Sequence, residues 1–173
     1  MADMRHVWSQ IMPQLANSPV HLVETSPALR QQQKDRLAPA DLYWHPDLDD
    51  LPATPIFGIA NEFFDALPID QAIWRQDHKE TAGSWRHRLV GLIDGRLGFV
   101  DGAPLSKAEI DIWHLASRPT PADGNIAEYC AMADAYVAKL ATHIASYGGA
   151  CLVIDYGRDG SIGDSLQAVA NHQ

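Results

Sequence analysis

Three apolar runs in this chain each stop at an acid or an amide. Val20-His21-Leu22-Val23 ends at Glu24, Pro55-Ile56-Phe57-Gly58-Ile59-Ala60 at Asn61-Glu62, and Ala150-Cys151-Leu152-Val153-Ile154 at Asp155. The second and third read as buried strands, the third as a central one, because nearly continuous apolar runs suit strands covered on both faces in a parallel sheet. Helical patterns or long connections separate the three, which predicts an α/β fold with a mainly parallel, doubly wound sheet. Ligands of such sheets bind outside the carboxyl ends of the strands, so the terminating acids are expected along one ligand-binding edge.

Local signals fill in the rest. Ser26-Pro27 offers an N-cap with proline in the first turn, predicting a helix from Ala28 to Leu37. Asp41 to Trp44 is a weaker strand signal, followed by a Pro- and Asp-rich connector. Asp94-Gly95 between Trp85–Ile93 and Arg96–Val100 is a strong hairpin signal, so residues 70–101 are expected to form an inserted antiparallel region. Trp74 and Trp85 read as core aromatics. Asn125 and Glu128 resemble a capping box, and Ile126, Cys130, Ala133, Val137, Leu140 and Ile144 follow helical spacing, so one long helix is predicted up to Gly148-Gly149.

A length of 173 residues suits one domain around a hydrophobic core. The net charge of −9, from 22 acidic against 13 basic residues, disfavours nucleic-acid binding, which draws on phosphate neutralisation. Cys130 and Cys151 form no motif and suggest a reducing compartment; the histidines show no metal-ligand spacing, and no metal is expected. No apolar stretch reaches the roughly 18 residues of a membrane span. Helical spacing is already running at Met1, and the chain stops soon after its strongest strand, so the expectation is a piece of a longer α/β domain.

The common nucleotide signatures are missing. There is no G-x-G-x-x-G, P-loop or Gly-x-Ser-x-Gly, and Gly157 to Gly163 has the wrong glycine spacing and reads as a surface loop. Glu24, an acid after an early strand, is placed to accept hydrogen bonds from both hydroxyls of a ribose. Asn61, Glu62 and Asp65 admit two readings. They stand where a ligand would bind, or they form an ordinary helix start with Asn61 as N-cap and an acidic first turn. Helical spacing would bring Glu62 and Asp65 to one face while Phe63, Phe64 and Leu67 pack inward.

Three blocks carry a family resemblance: His21-Leu22-Val23-Glu24-Thr25-Ser26-Pro27-Ala28-Leu29-Arg30, Ala60-Asn61-Glu62-Phe63-Phe64-Asp65-Ala66-Leu67-Pro68, and Ile154-Asp155-Tyr156-Gly157 with Gly163-Asp164-Ser165-Leu166-Gln167-Ala168-Val169. Together they resemble the MidA family of S-adenosylmethionine-dependent methyltransferases, which contains the mitochondrial complex I assembly-factor arginine methyltransferase. The resemblance implies a class I methyltransferase (Rossmann-like) fold with S-adenosyl-L-methionine as cofactor. It makes Glu24 and Thr25, with Asn61, the cofactor residues, puts Asn61, Glu62 and Asp65 at the methyl-transfer site, and sets Glu62, Asp65, Asp155 and Tyr156 against the substrate. The partners it implies are a protein substrate, a complex I subunit among them; a homodimer is a further expectation. The expected location is a bacterial cytoplasm or the mitochondrial matrix. The family's glycine-rich turn matches nothing here, so the 173-residue chain alone is expected to bind cofactor poorly and to be inactive. A non-catalytic binding or assembly module is the competing reading. A Rossmann-type oxidoreductase shares Glu24 but gives no reason for the Asn61-to-Pro68 octet.

Overall fold

The computed structural model describes residues 7, 10–15, 18–37, 42–76, 83–156 and 163–166. Its strands are β1 (Val20–Val23), β2 (Leu42–His45), β3 (Ile56–Asn61), β4 (Asp70–Gln76), β5 (Gly83–Ile93), β6 (Arg96–Pro104), β7 (Ile126–Tyr129) and β8 (Gly149–Ile154); its α-helices are α1 (Pro27–Arg36), α2 (Lys107–Ile112) and α3 (Ala131–Tyr147). The chain divides into two compact units, one from Met1–Gly58 with Tyr136–Leu152, the other from Ile59–Ala135 with Val153–Gln173. None of the described helices is long and apolar enough to cross a membrane. Gly157 to Ile162 of the predicted loop lie outside the described residues.

In the first unit β1 and β2 pair in parallel, Val20 opposite Leu42 through Val23 opposite His45. Parallel neighbours need a crossover, and α1 supplies it. Ser26 caps this helix, its hydroxyl accepting from the Leu29 N–H at 3.3 Å, with Pro27 at the start and Lys34 and Arg36 in the last turn where the dipole favours cations. Gln33 ties the helix to the strand ends, accepting from Trp44 Nε1 at 2.8 Å and donating to Glu24 Oε2 at 3.2 Å. Lys139 joins Asp47 and Asp49 at 2.7 Å each. At the start of β8, Gly149 adopts φ 109°, and a Cβ there would stand 1.9 Å from the Ile56 carbonyl oxygen, so only glycine permits this approach to β3.

Strands β3 and β8 are hydrogen-bonded neighbours. Ile56 N donates to the Gly148 carbonyl and Glu62 N to that of Ile154; both strands advance six residues between these bonds (62 − 56 and 154 − 148), so they run parallel. Parallel pairing is therefore present in two separate pairs: two of the three apolar runs join as β3 and β8, while the first, β1, pairs with β2. The largest sheet is different: β6-β5-β4-β7, antiparallel throughout. Among the described residues the sheets are mixed, and the expectation of a mainly parallel sheet is corrected to that extent.

The second unit holds all of the buried residues described. Ala72, Trp85, Leu105, Trp113, Leu115 and Ala127 form its core, with Trp74, Ile110 and Tyr129 against it. Trp74 meets Trp85 edge-on at 5.5 Å and Trp113 stacks on Tyr129 at 5.4 Å. The hairpin turns at Asp94 (φ 50°) and Gly95 (φ 77°), the paired positive angles of a type I′ turn. A reciprocal capping box between Ser106 and Glu109 starts α2.

Two further expectations are corrected. Residues 126–129 form a strand rather than the first turn of a helix: they pair with Asp70–Ile73 of β4, which brings Ala127 into the core with Ala72. Glu128 therefore caps nothing and accepts instead from Gln71 Nε2 at 2.7 Å and from Ser165; the helix begins only at Ala131. The apolar runs of β3 and β8 are also not buried. Phe57 is 75% exposed and Leu152 57%, because each of these strands has one neighbour and no described layer covers its faces.

Residues 163–166 are held to the antiparallel sheet. Gly163 N donates to the Ile126 carbonyl, and Asp164 accepts from Gln71 and from Arg88 Nη1 at 2.8 Å. Arg88 also donates to Gln71 Oε1 at 2.6 Å and lies 3.5 Å from the centre of the Phe99 ring. Its side chain is 11% exposed and that of Asp164 35%, so truncating the arginine strands the buried Gln71 and a half-buried carboxylate. Arg88→Met is expected to cost about 2–3 kcal/mol by denaturant unfolding, below the full penalty for a wholly buried pair. Partial burial pulls the Asp164 carboxyl upward, but hydrogen bonds from Gln71 and Arg88 leave it below its ordinary value. A depressed carboxyl stabilises in full above its unfolded value near 4 and loses that contribution as pH falls through the lower folded value. The stability difference between wild type and Asp164→Asn should therefore shrink between about pH 7 and about pH 3.

Candidate functional site

Strand β3 ends because Glu62 turns into the left-handed region, φ 48°, a conformation that costs a non-glycine residue about 1 kcal/mol. Its N–H makes the last rung, 2.8 Å to the Ile154 carbonyl. The chain then reverses through residues 63–67 as bends and a turn, closed by Leu67 N on the Phe64 carbonyl at 3.2 Å. No helix forms here, which corrects both the N-cap reading of Asn61 and the helical spacing of Glu62 and Asp65. The physical reason lies about ninety residues away: Asp155 Oδ2 accepts the N–H groups of Phe64 at 3.0 Å and Asp65 at 3.2 Å. With those donors satisfied from outside, the turn does not need a helical first turn or its own cap.

The end of β8 completes the cluster. Asp155 Oδ1 accepts the Tyr156 N–H at 3.0 Å, and the Tyr156 hydroxyl donates to Asp65 Oδ2. Phe63 and Phe64 meet edge-on at 5.1 Å, half-buried, as the apolar side of the turn. Asn61 and Glu62 are exposed and their side chains make no hydrogen bond among the described residues. The structure thus brings together Glu62, Asp65, Asp155 and Tyr156, with Asn61 at the adjoining strand end.

Three carboxylates share this corner, and among the described residues none is in an ion pair with Lys, Arg or His. Their field acts on Tyr156: the hydrogen bond to Asp65 foremost, then the charge of Asp65, slight desolvation, and the charges of Glu62 and Asp155 push its phenol above the ordinary value. No cluster of three or more metal-ligating side chains occurs among the described residues. The corner suits a cation with directional N–H donors.

Glu24 and Thr25 belong to the other unit. The Glu24 N–H donates to the His45 carbonyl at 3.0 Å, prolonging the β1–β2 ladder, while Oε1 accepts the Ser26 N–H at 2.9 Å and Oε2 accepts from Gln33. Each oxygen retains acceptor capacity, so the carboxylate is fixed in direction and still able to take the hydroxyls of a ribose. Thr25 is exposed beside it. Beneath lies a contact that the sequence did not disclose: His21 Nδ1 and His45 Nε2 are 2.8 Å apart, and burial, then the neighbouring histidine, pulls the His21 pKa down. Sequence reasoning also missed the backbone role of Asp155, for which no local signal exists.

A family-wide sequence profile described as "Putative S-adenosyl-L-methionine-dependent methyltransferase" matches residues 1–173. The chain is 30% identical over 207 residues to the Protein arginine methyltransferase NDUFAF7, mitochondrial, of Danio rerio, covering 99% of this chain and 44% of that protein. It is 30% identical over 200 residues to the protein of the same name from Homo sapiens, covering 100% of this chain and 43% of the relative. The Caenorhabditis elegans homolog is 30% identical over 185 residues, 89% of this chain and 40% of that protein. The chain thus spans under half the length of these relatives.

The electrostatic description has a direct check. Following the Tyr156 ring by NMR should show deprotonation above about pH 10, and Asp65→Asn should bring it back down because the strongest acceptor and the nearest charge are both removed.

Proposed function

The chain belongs to the MidA family of S-adenosyl-L-methionine-dependent methyltransferases, and from that premise we propose that the protein transfers a methyl group to an arginine side chain of a protein acceptor. The observation that carries the reading is the acidic corner of Glu62, Asp65 and Asp155, which no Lys, Arg or His pairs with among the described residues and which suits a guanidinium that keeps its positive charge in protein surroundings. The relatives' printed name supports the same acceptor chemistry.

When bound, the cofactor supplies an electrophilic methyl on a sulfonium. The protein's share of the work is then positioning and exclusion of water. Glu24, with Thr25, takes the ribose hydroxyls through the acceptor capacity left on its carboxylate. Asn61, at the very end of β3, adjoins the turn that carries Glu62 and Asp65 and would contribute its amide to the cofactor. Glu62 and the unshared oxygen of Asp65 each accept from a guanidinium nitrogen, draw the positive charge toward themselves and leave the third nitrogen to face the methyl group. Phe63 and Phe64 limit water on the apolar side of the turn.

The parallel pairs β1–β2 and β3–β8 support a class I, Rossmann-like arrangement, with the antiparallel sheet as its insertion. A complex I subunit as acceptor, a homodimer, and a setting in the mitochondrial matrix or a bacterial cytoplasm are parts of the same proposal. The test is methyl transfer from labelled cofactor to an arginine-containing protein by the protein carrying this chain. Glu62→Gln and Asp65→Ala should each lower kcat by about a hundredfold. Glu24→Ala should weaken cofactor binding about tenfold by calorimetry, as loss of a charge-assisted pair of hydrogen bonds requires. Normal transfer by the Glu62 and Asp65 variants would overturn the reading, and cofactor binding without transfer to any arginine would point to a binding module.

A further inference from the structure

We propose that Asp155 and Tyr156 are positioning residues rather than substrate ligands: the end of β8 is a splint that fixes the backbone and one side chain of the 62–67 turn. The inference rests on the reading that Glu62 and Asp65 face a cationic acceptor, and it assigns the neighbouring pair a different task.

The geometry is specific. Asp155 accepts three backbone N–H groups, those of Phe64, Asp65 and Tyr156, spread over both oxygens. A carboxylate offers about four acceptor positions, and a bidentate guanidinium needs one free on each oxygen in the same plane. Oδ2 already carries two donors, so gripping a substrate fork would release the turn. Asp65 is in the opposite state: one oxygen takes the Tyr156 hydroxyl and the other accepts no hydrogen bond among the described residues, so the phenol selects the carboxylate's direction without consuming it. Glu62 has no side-chain partner among the described residues and a left-handed backbone, a conformation that persists only where its surroundings over-determine it. Those surroundings are the Glu62 N–H on Ile154 and the two N–H groups on Asp155, all from the end of β8. The two acids proposed to meet substrate are therefore aimed by the two residues that follow β8.

The test reads the turn itself. In Asp155→Ala, the amides of Phe64 and Asp65 should exchange with solvent about tenfold faster, as expected when two charge-assisted hydrogen bonds are lost, while amides of the β4–β7 ladder keep their protection and report that the unit is folded. Asp155→Asn keeps an acceptor oxygen and should recover most of that protection. In methyl transfer by the protein carrying this chain, Asp155→Ala should lower kcat with little change in KM for the acceptor, and Asp155→Asn should restore part of it. Tyr156→Phe should lower kcat and leave the Phe64 and Asp65 amides protected. Unchanged exchange in Asp155→Ala, or an acceptor KM raised equally by Ala and Asn, would overturn the assignment by marking the charge as a substrate ligand. If the amides respond as expected but Glu62→Gln and Asp65→Ala methylate normally, the splint stands and the functional reading fails.

Discussion

Strand β4 is hydrogen-bonded on both edges, to β5 on one side and β7 on the other, and the small side chains of Ala72 and Ala127 on these paired strands leave room for Trp85 and Trp113 to pack close to the backbone. That packing is where the described chain removes apolar surface from water most completely. The turn at residues 62–67 runs almost directly into β4, so one end of the proposed site is anchored to the only buried core described. The other end is anchored by backbone N–H groups on Asp155. A strained residue such as Glu62 can be kept between two fixed ends, where a free loop would relax it.

Charge is partitioned in a way that serves the same corner. Arg75 pairs with Asp101, Arg88 with Asp164, Lys139 with Asp47 and Asp49, and His87 with Glu109. The two arginines and the lysine are thus committed elsewhere. In a chain of net charge −9, the acids at the end of β3 and β8 are thus left without a described internal counter-ion. The proposed arginine-binding role asks for that condition, since an internal lysine or arginine would compete with a guanidinium for the same oxygens.

How much was legible in the sequence depends on how local the cause is. The Asp94-Gly95 turn, the Ser26-Pro27 start of α1 and the Gly148-Gly149 stop of α3 were read correctly, because each is decided by the conformational range of a few residues. Ile126 to Tyr129 were misread as helix, although Asn125 and Glu128 fit a capping pattern. Pairing with β4 satisfied their backbone and buried Ala127, which outweighed local preference. The helix-start reading of Asn61 to Asp65 fails in the same way, since the acceptor that shapes the turn stands some ninety residues downstream.

Where strands end in acids, where the hairpin reverses, and to which family those blocks belong follow from the amino-acid order, because composition and spacing act over short stretches of chain. Folding settles that Asp155 accepts from the backbone of a distant turn, that Glu62 takes a left-handed conformation instead of opening a helix, and that Arg88 pairs with Asp164. Hydrogen-bond partners far apart in the chain are chosen by which donors and acceptors folding brings within about 3 Å of each other, and no short pattern encodes that choice.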